Sequence, residues 1–413
     1  MTDVPAAHGL APRTWERWAW VALAAAFINT SYGTLSYSFS VLVTESGPGG
    51  EFGKGVISLG FGLALLVSGV AGLWVGTIAD LFGSRRLMAI GAVVGAAGLA
   101  LLAACQETWQ VIAVMLLVIG PAMAATFYEP VYVLMNRWFD AGERPKAYGV
   151  LTMLSGVSIT IYTPLTQVFV DAWGWRQATV GLAVILLVVG VLVPLALPEG
   201  DRPAKREGAL SPRAFLRESW DGVLRTDARF WWFTAAFFVA TMAISGYSFH
   251  MISQLETRGF EDSAVASAIA VTGLVSLPAR FALPALSNRA SGTTLLAVCL
   301  ALLGVAAWIA SMADQWWQVW LYVGVFGLVF GAVYPLRALV MSERFSGAYF
   351  GRVIGLQALF VAFARAVGPV AVSAFGTSEA GYRVAFTVAA IALFVSAVVT
   401  WAVMRGWSPS PER

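Results

Sequence analysis

The chain is patterned in long apolar runs separated by short polar or turn-forming segments. The runs fall at about 18–44, 54–79, 87–105, 108–135, 147–170, 177–196, 230–254, 264–286, 293–312, 317–340, 350–374 and 384–404. About 20 apolar residues are needed to cross ~30 Å of hydrocarbon at 1.5 Å per residue. Twelve such runs predict twelve transmembrane helices, those at 87–105 and 293–312 being near the minimum length. One connection breaks the pattern. From about Pro198 to Arg229 the chain is polar and rich in both signs of charge. The expected organisation is therefore a six-helix bundle over 1–197, a cytoplasmic linker over 198–229 and a second six-helix bundle over 230–413.

Composition agrees with the pattern. Hydrophobic residues are 59% of the chain and charged residues 12%, against about 25% charged in soluble domains. The net charge of +3 matters less than its distribution. With both termini in the cytoplasm, twenty of the 26 Lys and Arg, Arg337 among them, fall on the cytoplasmic side. The outer side holds only Lys54, Arg176, Arg258 and Arg383, and Arg280 and Arg365 remain inside helices. Lys and Arg sort to the cytoplasm in this way, whereas acids do not. The first run is far longer than the apolar part of a cleavable signal. Cys105 and Cys299 sit in or beside apolar runs, with no metal-ligand spacing, and are expected to pack. No nucleotide-binding loop, metal-ligand cluster or nucleophile–base pair is visible. The expectation is no enzyme, no cofactor and no nucleic-acid partner.

The halves repeat each other. Tyr128, Met135 and Phe139 recur 206 positions on as Tyr334, Met341 and Phe345. Gly76 and Asp80 correspond to Pro284 and Asn288, and Pro164 with Gly174-Trp175-Arg176 corresponds to Pro369 with Gly381-Tyr382-Arg383. Two such repeats place a substrate between them, near the bilayer midplane.

The stretch Gly76-Thr-Ile-Ala-Asp80-Leu-Phe-Gly83-Ser-Arg85-Arg86 resembles the signature of the major facilitator superfamily, except that Leu81 stands where a basic residue is usual. The resemblance implies that fold, all-α with two pseudo-symmetric bundles, and a gate at Gly76, Asp80, Gly83, Arg85 and Arg86. Tyr37-Ser38-Phe39-Ser40-Val41, Asn136-Arg137-Trp138-Phe139 and Gly174-Trp175-Arg176 resemble the monocarboxylate porter family, including its bacterial oxalate–formate antiporter branch. Glu16-Arg17-Trp18-Ala19-Trp20 is a weaker echo of the motif entering the first helix of animal members.

Charges inside the helices are the remaining signal. Arg280, Arg365 and Glu129 would each cost about 2.5–3.5 kcal/mol at the bilayer centre, so each is expected to face a cavity or a partner. A guanidinium can grip a carboxylate with two parallel hydrogen bonds, and the porter resemblance implies that an arginine in the eighth helix binds substrate. Pairing with Glu129 is the alternative role for Arg280. Arg365 is a candidate second anchor for a dicarboxylate, as the oxalate–formate resemblance implies. Animal porters carry a proton-coupling aspartate four residues before the arginine and a lysine in the first helix. Here Ser276 stands at the former position, and no lysine lies between Trp18 and Val43. Glu129 is then the candidate proton carrier, because burial favours its neutral form, with His250 the second choice. Tyr32, Tyr128, Tyr247 and Tyr334, with Asn29, are candidate cavity residues, apolar in body and able to donate to an anion.

These readings together predict a secondary active transporter of small monocarboxylates such as lactate or pyruvate, coupled to protons by alternating access. A dicarboxylate or anion exchanger is one alternative. A drug–proton antiporter is another, although the Gly-Pro-Gly-Gly type of motif such antiporters share is replaced here by Ile161-Tyr162-Thr163-Pro164-Leu165. The expected setting is a bacterial inner membrane, with lipid, substrate and proton as partners and a monomeric chain.

Overall fold

A computed structural model of the chain describes residues 14–43, 46–200, 228–345, 350–375 and 378–405, and among them the ordered elements are all helical. The first crossing, α1 (Thr14–Tyr32), continues through a π-helical turn, Gly33–Tyr37, to Leu42. Next come α2 (Lys54–Phe82) and α3 (Ser84–Ala104), with only Gly83 between them at φ 99° and ψ 145°. A residue with a Cβ rarely adopts that φ, so the family-like turn needs its glycine. The fourth crossing, α4 (Thr108–Trp138), is interrupted. The fifth and sixth, α5 (144–173) and α6 (175–196), are joined at Gly174, φ 77°. Gly181 lies against the Phe169 and Trp173 rings, so the chain reverses there.

The second half comprises α7 (Ala228–Glu256), α8 (Asp262–Ala285), α9 (Gly292–Ser311), α10 (Trp316–Phe345), α11 (Phe350–Ser373) and α12 (Glu379–Met404). Nine helical stretches among the described residues are long and apolar enough to cross a membrane, and one of them, Arg144–Ala196, makes two crossings. The remaining crossings are α1, which carries Asn29, Thr30 and Ser31, and α8, which is broken by Pro278 and Pro284.

The internal repeat appears in the packing. In the first half Trp18 meets Phe139 with ring centroids 5.5 Å apart, and in the second Phe230 meets Phe345 at the same distance. Within the halves, α3 packs on α6, α8 on α10 and α9 on α12. Between them, α2 packs on α11 and α5 on α8.

Both interhalf contacts lie toward the end that carries the α2–α3 turn. A Cβ added to Gly76 would stand 2.1 Å from the carbonyl oxygen of Gly351, and one added to Gly355 would stand 2.4 Å from that of Gly72. A Cβ added to Gly149 would stand 3.0 Å from the carbonyl oxygen of Phe281. Backbone meets backbone only where side chains are absent. Gly76→Val should therefore prevent this end from closing and lower turnover by at least about tenfold, since overpacking commonly costs 1–3 kcal/mol. Gly55→Ala, with nothing near its added methyl, should transport normally. Initial uptake rates in membrane vesicles check both, and normal rates for Gly76→Val would show that the close approach is dispensable.

Two sequence expectations change. The predicted linker lies almost wholly in 201–227, outside the described residues. Arg337, counted with the cytoplasmic-side charges, is a buried helix residue: α10 runs on to Phe345, which places Arg337 about two turns inside the helix, and the residue is only 3% exposed.

A cavity between the two halves

A cavity of about 400 Å³ lies between the halves. The first half contributes Tyr32, Tyr37, Tyr128 and Glu129 to its wall, and the second contributes Arg280, Tyr334, Arg337 and Arg365. Three guanidinium groups thus share one space with a single carboxylate among the described lining residues.

The placement of Glu129 follows from a break in α4. Pro130 has no N–H to donate to Thr126, and a proline ring also crowds the carbonyl four residues back. The helix stops at Thr126, Phe127 takes extended geometry at φ −84° and ψ −158°, and a new helix starts at Tyr128. Glu129 consequently lies in the first turn of that half-helix, where the helix dipole favours a carboxylate. Its Oε1 faces Arg337 Nη2 across the boundary of the halves at 3.8 Å. Arg337, not Arg280, is its ion-pair partner.

Arg280 makes no ion pair with a described residue, and its buried Nε has no hydrogen-bond partner. Two glycines make room for it. A Cβ at Gly331 would stand 2.7 Å from Arg280 Cγ, and one at Gly156 would stand 3.2 Å from Nη1. The guanidinium lies within electrostatic reach of Tyr128, whose hydroxyl shares a 2.8 Å hydrogen bond with Ser155. Arg365 is held differently. It lies over the Tyr334 ring, 4.4 Å from its centroid, and its Nε donates to the Tyr334 hydroxyl at 3.3 Å. Tyr32 stacks on Phe127 with centroids 3.8 Å apart.

Three candidates fall outside the cavity wall. Asn29 donates to the carbonyl of Leu154 at 3.4 Å. Tyr247 is fully buried between the Phe326 and Phe386 rings. His250 Nε2 lies 3.0 Å from the carbonyl oxygen of Pro369 and 3.2 Å from Ser373 Oγ. The carbonyl can only accept, so that nitrogen carries the proton in this contact.

At the α2–α3 end, Ser84 and Arg85 donate their backbone N–H groups to the Glu199 carboxylate, which also accepts from Arg137 at 2.6 Å. The Arg85 side chain donates to the carbonyls of Pro194 and Leu195. Arg86 is exposed, and the side chain of Asp80 lies outside the described ones. Glu199 was absent from the predicted gate, although an acid closing the sixth span beside a basic turn is a readable signal.

The sequence profile of the Major Facilitator Superfamily matches residues 17–369. The chain belongs to this superfamily. It is a multi-pass membrane transporter of a small molecule, and its relatives are transporters rather than enzymes. Monocarboxylate transporter 4 of Gallus gallus is 24% identical over 398 residues, covering 92% of this chain and 82% of that protein. Monocarboxylate transporter 11 of Homo sapiens is 27% identical over 386 residues, covering 88% and 78%. Among solved structures, the human organic anion transporter MFSD10 superposes with a TM-score of 0.74 at 16% identity over 94% of this chain and all of that one. The E. coli fucose:proton symporter superposes with a TM-score of 0.71 at 14% identity, covering 93% and 98%.

Proposed function

We propose that this transporter moves a small monocarboxylate, of the lactate or pyruvate kind, together with a proton. The observation that carries the reading is the cavity between the halves, where, among the described residues, Arg280 has no ion pair and Glu129 is the one carboxylate of the lining. A half-buried guanidinium with no acid paired to it among the described residues is poised to take an anion by two-point hydrogen bonding. Relatives named as monocarboxylate transporters over most of the chain support the same class. Tyr128, Tyr32 and Tyr334 line the site as hydroxyl donors, and Glu129 is the proton carrier. A dicarboxylate exchanger is the second reading, favoured by Arg365 on the same wall as Arg280.

Alternating access would use the tight α2–α11 and α5–α8 contacts as the closed gate, with Gly76, Asp80, Gly83, Arg85 and Arg86 at its edge. Under the charge-based orientation that end faces the cytoplasm. The two six-helix units on either side of residues 198–229 would rock about the cavity in a bacterial inner membrane. Orientation has its own test. A cysteine placed near Gly47 should react with an impermeant thiol reagent in intact cells, and one near Ala204 should not. The reverse pattern would invert the topology.

For the function, purified protein in liposomes should accumulate radiolabelled lactate or pyruvate when an inward proton gradient is imposed. Uptake of oxalate in exchange for another acid, indifferent to the gradient, would favour the second reading. No uptake of any carboxylate would end both.

A further inference from the structure

One buried cation of the cavity has no part in the reading above. Arg337 lies on α10 in the second half, is 3% exposed and lines the cavity. Its Nη2 stands 3.8 Å from Glu129 Oε1, an ion-pair distance too long for a hydrogen bond. Its Nε and Nη1 are buried without a hydrogen-bond partner. The Phe237 ring, 5.8 Å away, offers it an aromatic face but no acceptor in the plane of the fork. A guanidinium presents five N–H donors in a rigid planar array suited to a carboxylate. Leaving them unmade in a buried site is costly. An incoming carboxylate would complete the set, and Glu129 at its present distance does not.

We propose that Arg337 is a cargo-binding residue and that the cargo's carboxylate competes with Glu129 for it. The proposal rests on the carboxylate reading and adds a second grip to that of Arg280. In the empty protein Glu129 of α4 and Arg337 of α10 hold each other loosely across the two halves. When cargo arrives, its carboxylate takes the in-plane donors of Arg337, and Glu129 loses its counter-ion. Glu129 then accepts one proton from water and becomes neutral. One negative charge enters with the cargo and one positive charge with the proton, so the charge of the cavity is unchanged by loading. Each half of the pair thereby recruits one of the two transported species.

The groups around Glu129 are consistent with this exchange. Tyr32 of α1, Tyr37 of the π-helical turn, Tyr128 and Tyr132 of its own helix and Tyr334 of α10 line the same cavity. The cations are Arg280 on α8, Arg337 on α10 and Arg365 on α11. Among these lining residues Glu129 alone is a carboxylate, so no other described acid of the wall is available to answer Arg337 or to take the proton.

The test is equilibrium binding of L-lactate and of pyruvate to purified full-length protein, by calorimetry across pH 5–8. Glu129→Gln removes the competitor, so it should tighten binding near neutral pH by about tenfold. The pH dependence of wild type, tighter at lower pH, should flatten in the variant. The double variant Glu129→Gln/Arg337→Gln removes both charges and leaves neither buried alone. It should lose that gain and a further tenfold or more. Affinity in the double variant equal to that in Glu129→Gln would show that Arg337 does not touch cargo. An unchanged affinity in Glu129→Gln would show that no competition exists. Either outcome, with wild type binding normally, overturns this proposal alone. Wild-type protein that binds neither acid overturns the carboxylate reading, and this proposal falls with it.

Discussion

Arg280→Ala is expected to abolish measurable carboxylate binding while the protein stays folded. The guanidinium sits on α8 at the boundary of the halves, in a berth kept open by Gly156 and Gly331. Its Nε has no acceptor, and no described acid pairs with it, so the cargo is its missing partner in the proposed reading. Truncating one partner of a buried, hydrogen-bonded charge pair costs about 2–5 kcal/mol, which is roughly 30- to 4,000-fold in affinity at 1.4 kcal/mol per decade. Arg280→Lys should fall between, since it retains the charge and loses the two-point geometry. The fold should survive Arg280→Ala, because the ion pair of Glu129 is with Arg337 and removing Arg280 orphans no buried acid. Calorimetric titration with lactate, beside a thermal melt of the same preparation, separates lost binding from lost folding. A folded Arg280→Ala protein that binds like its parent would shift the reading toward a neutral or cationic cargo.

The architecture was legible because a lipid solvent leaves few options. Every backbone polar group must be paired within its own segment, so long apolar runs had to be helices, and their number and order follow from the sequence. The repeat was readable from pairs such as Tyr128 and Tyr334, which both line the one cavity. Arg280, Arg365 and Glu129 stood out for the same reason, since a charge in an apolar run is expensive and all three reach the cavity wall.

Arg337 was hidden by a boundary. Its predicted span ended at 340, close enough for the arginine to be counted with the cytoplasmic-side charges, whereas α10 continues to Phe345. Three residues from the predicted end Arg337 read as a charge at the membrane edge, whereas with the helix running on to Phe345 it lies about two turns inside. The break in α4 was concealed by an unbroken apolar run, although Pro130 marked it. Tyr247, Asn29 and His250 show the opposite difficulty. Composition identifies amphipathic side chains, but the direction in which a transmembrane helix turns them is set by packing. The Phe326 and Phe386 rings enclose Tyr247, and the Pro369 carbonyl occupies His250. Glu199 lies at the end of the sixth span, where it reads as a solvated residue until Ser84, Arg85 and Arg137 are folded around it.

Glu129→Gln is expected to uncouple transport from the proton gradient without stopping substrate movement. Glutamine keeps nearly the shape of the side chain and its place in the first turn of the half-helix, but it cannot take up or release a proton. In liposomes with an imposed inward proton gradient, wild-type protein should accumulate labelled lactate above the external concentration. The variant should only equilibrate it. Exchange of internal for external lactate needs no net proton movement, so it should persist in the variant. The arithmetic makes the contrast large. A gradient of one pH unit supplies about 1.4 kcal/mol, a tenfold concentration ratio, and without a titrating group that ratio should collapse to one. In the proposed cycle the proton enters with cargo on the acidic side and leaves on the alkaline side, so accumulation should follow the inward gradient. Accumulation in Glu129→Gln that still follows the pH gradient would make the Glu129–Arg337 pair a purely structural tie between the halves. The proton would then have to travel by another group, and His250, held on the carbonyl of Pro369 in α11, would be the next residue to replace.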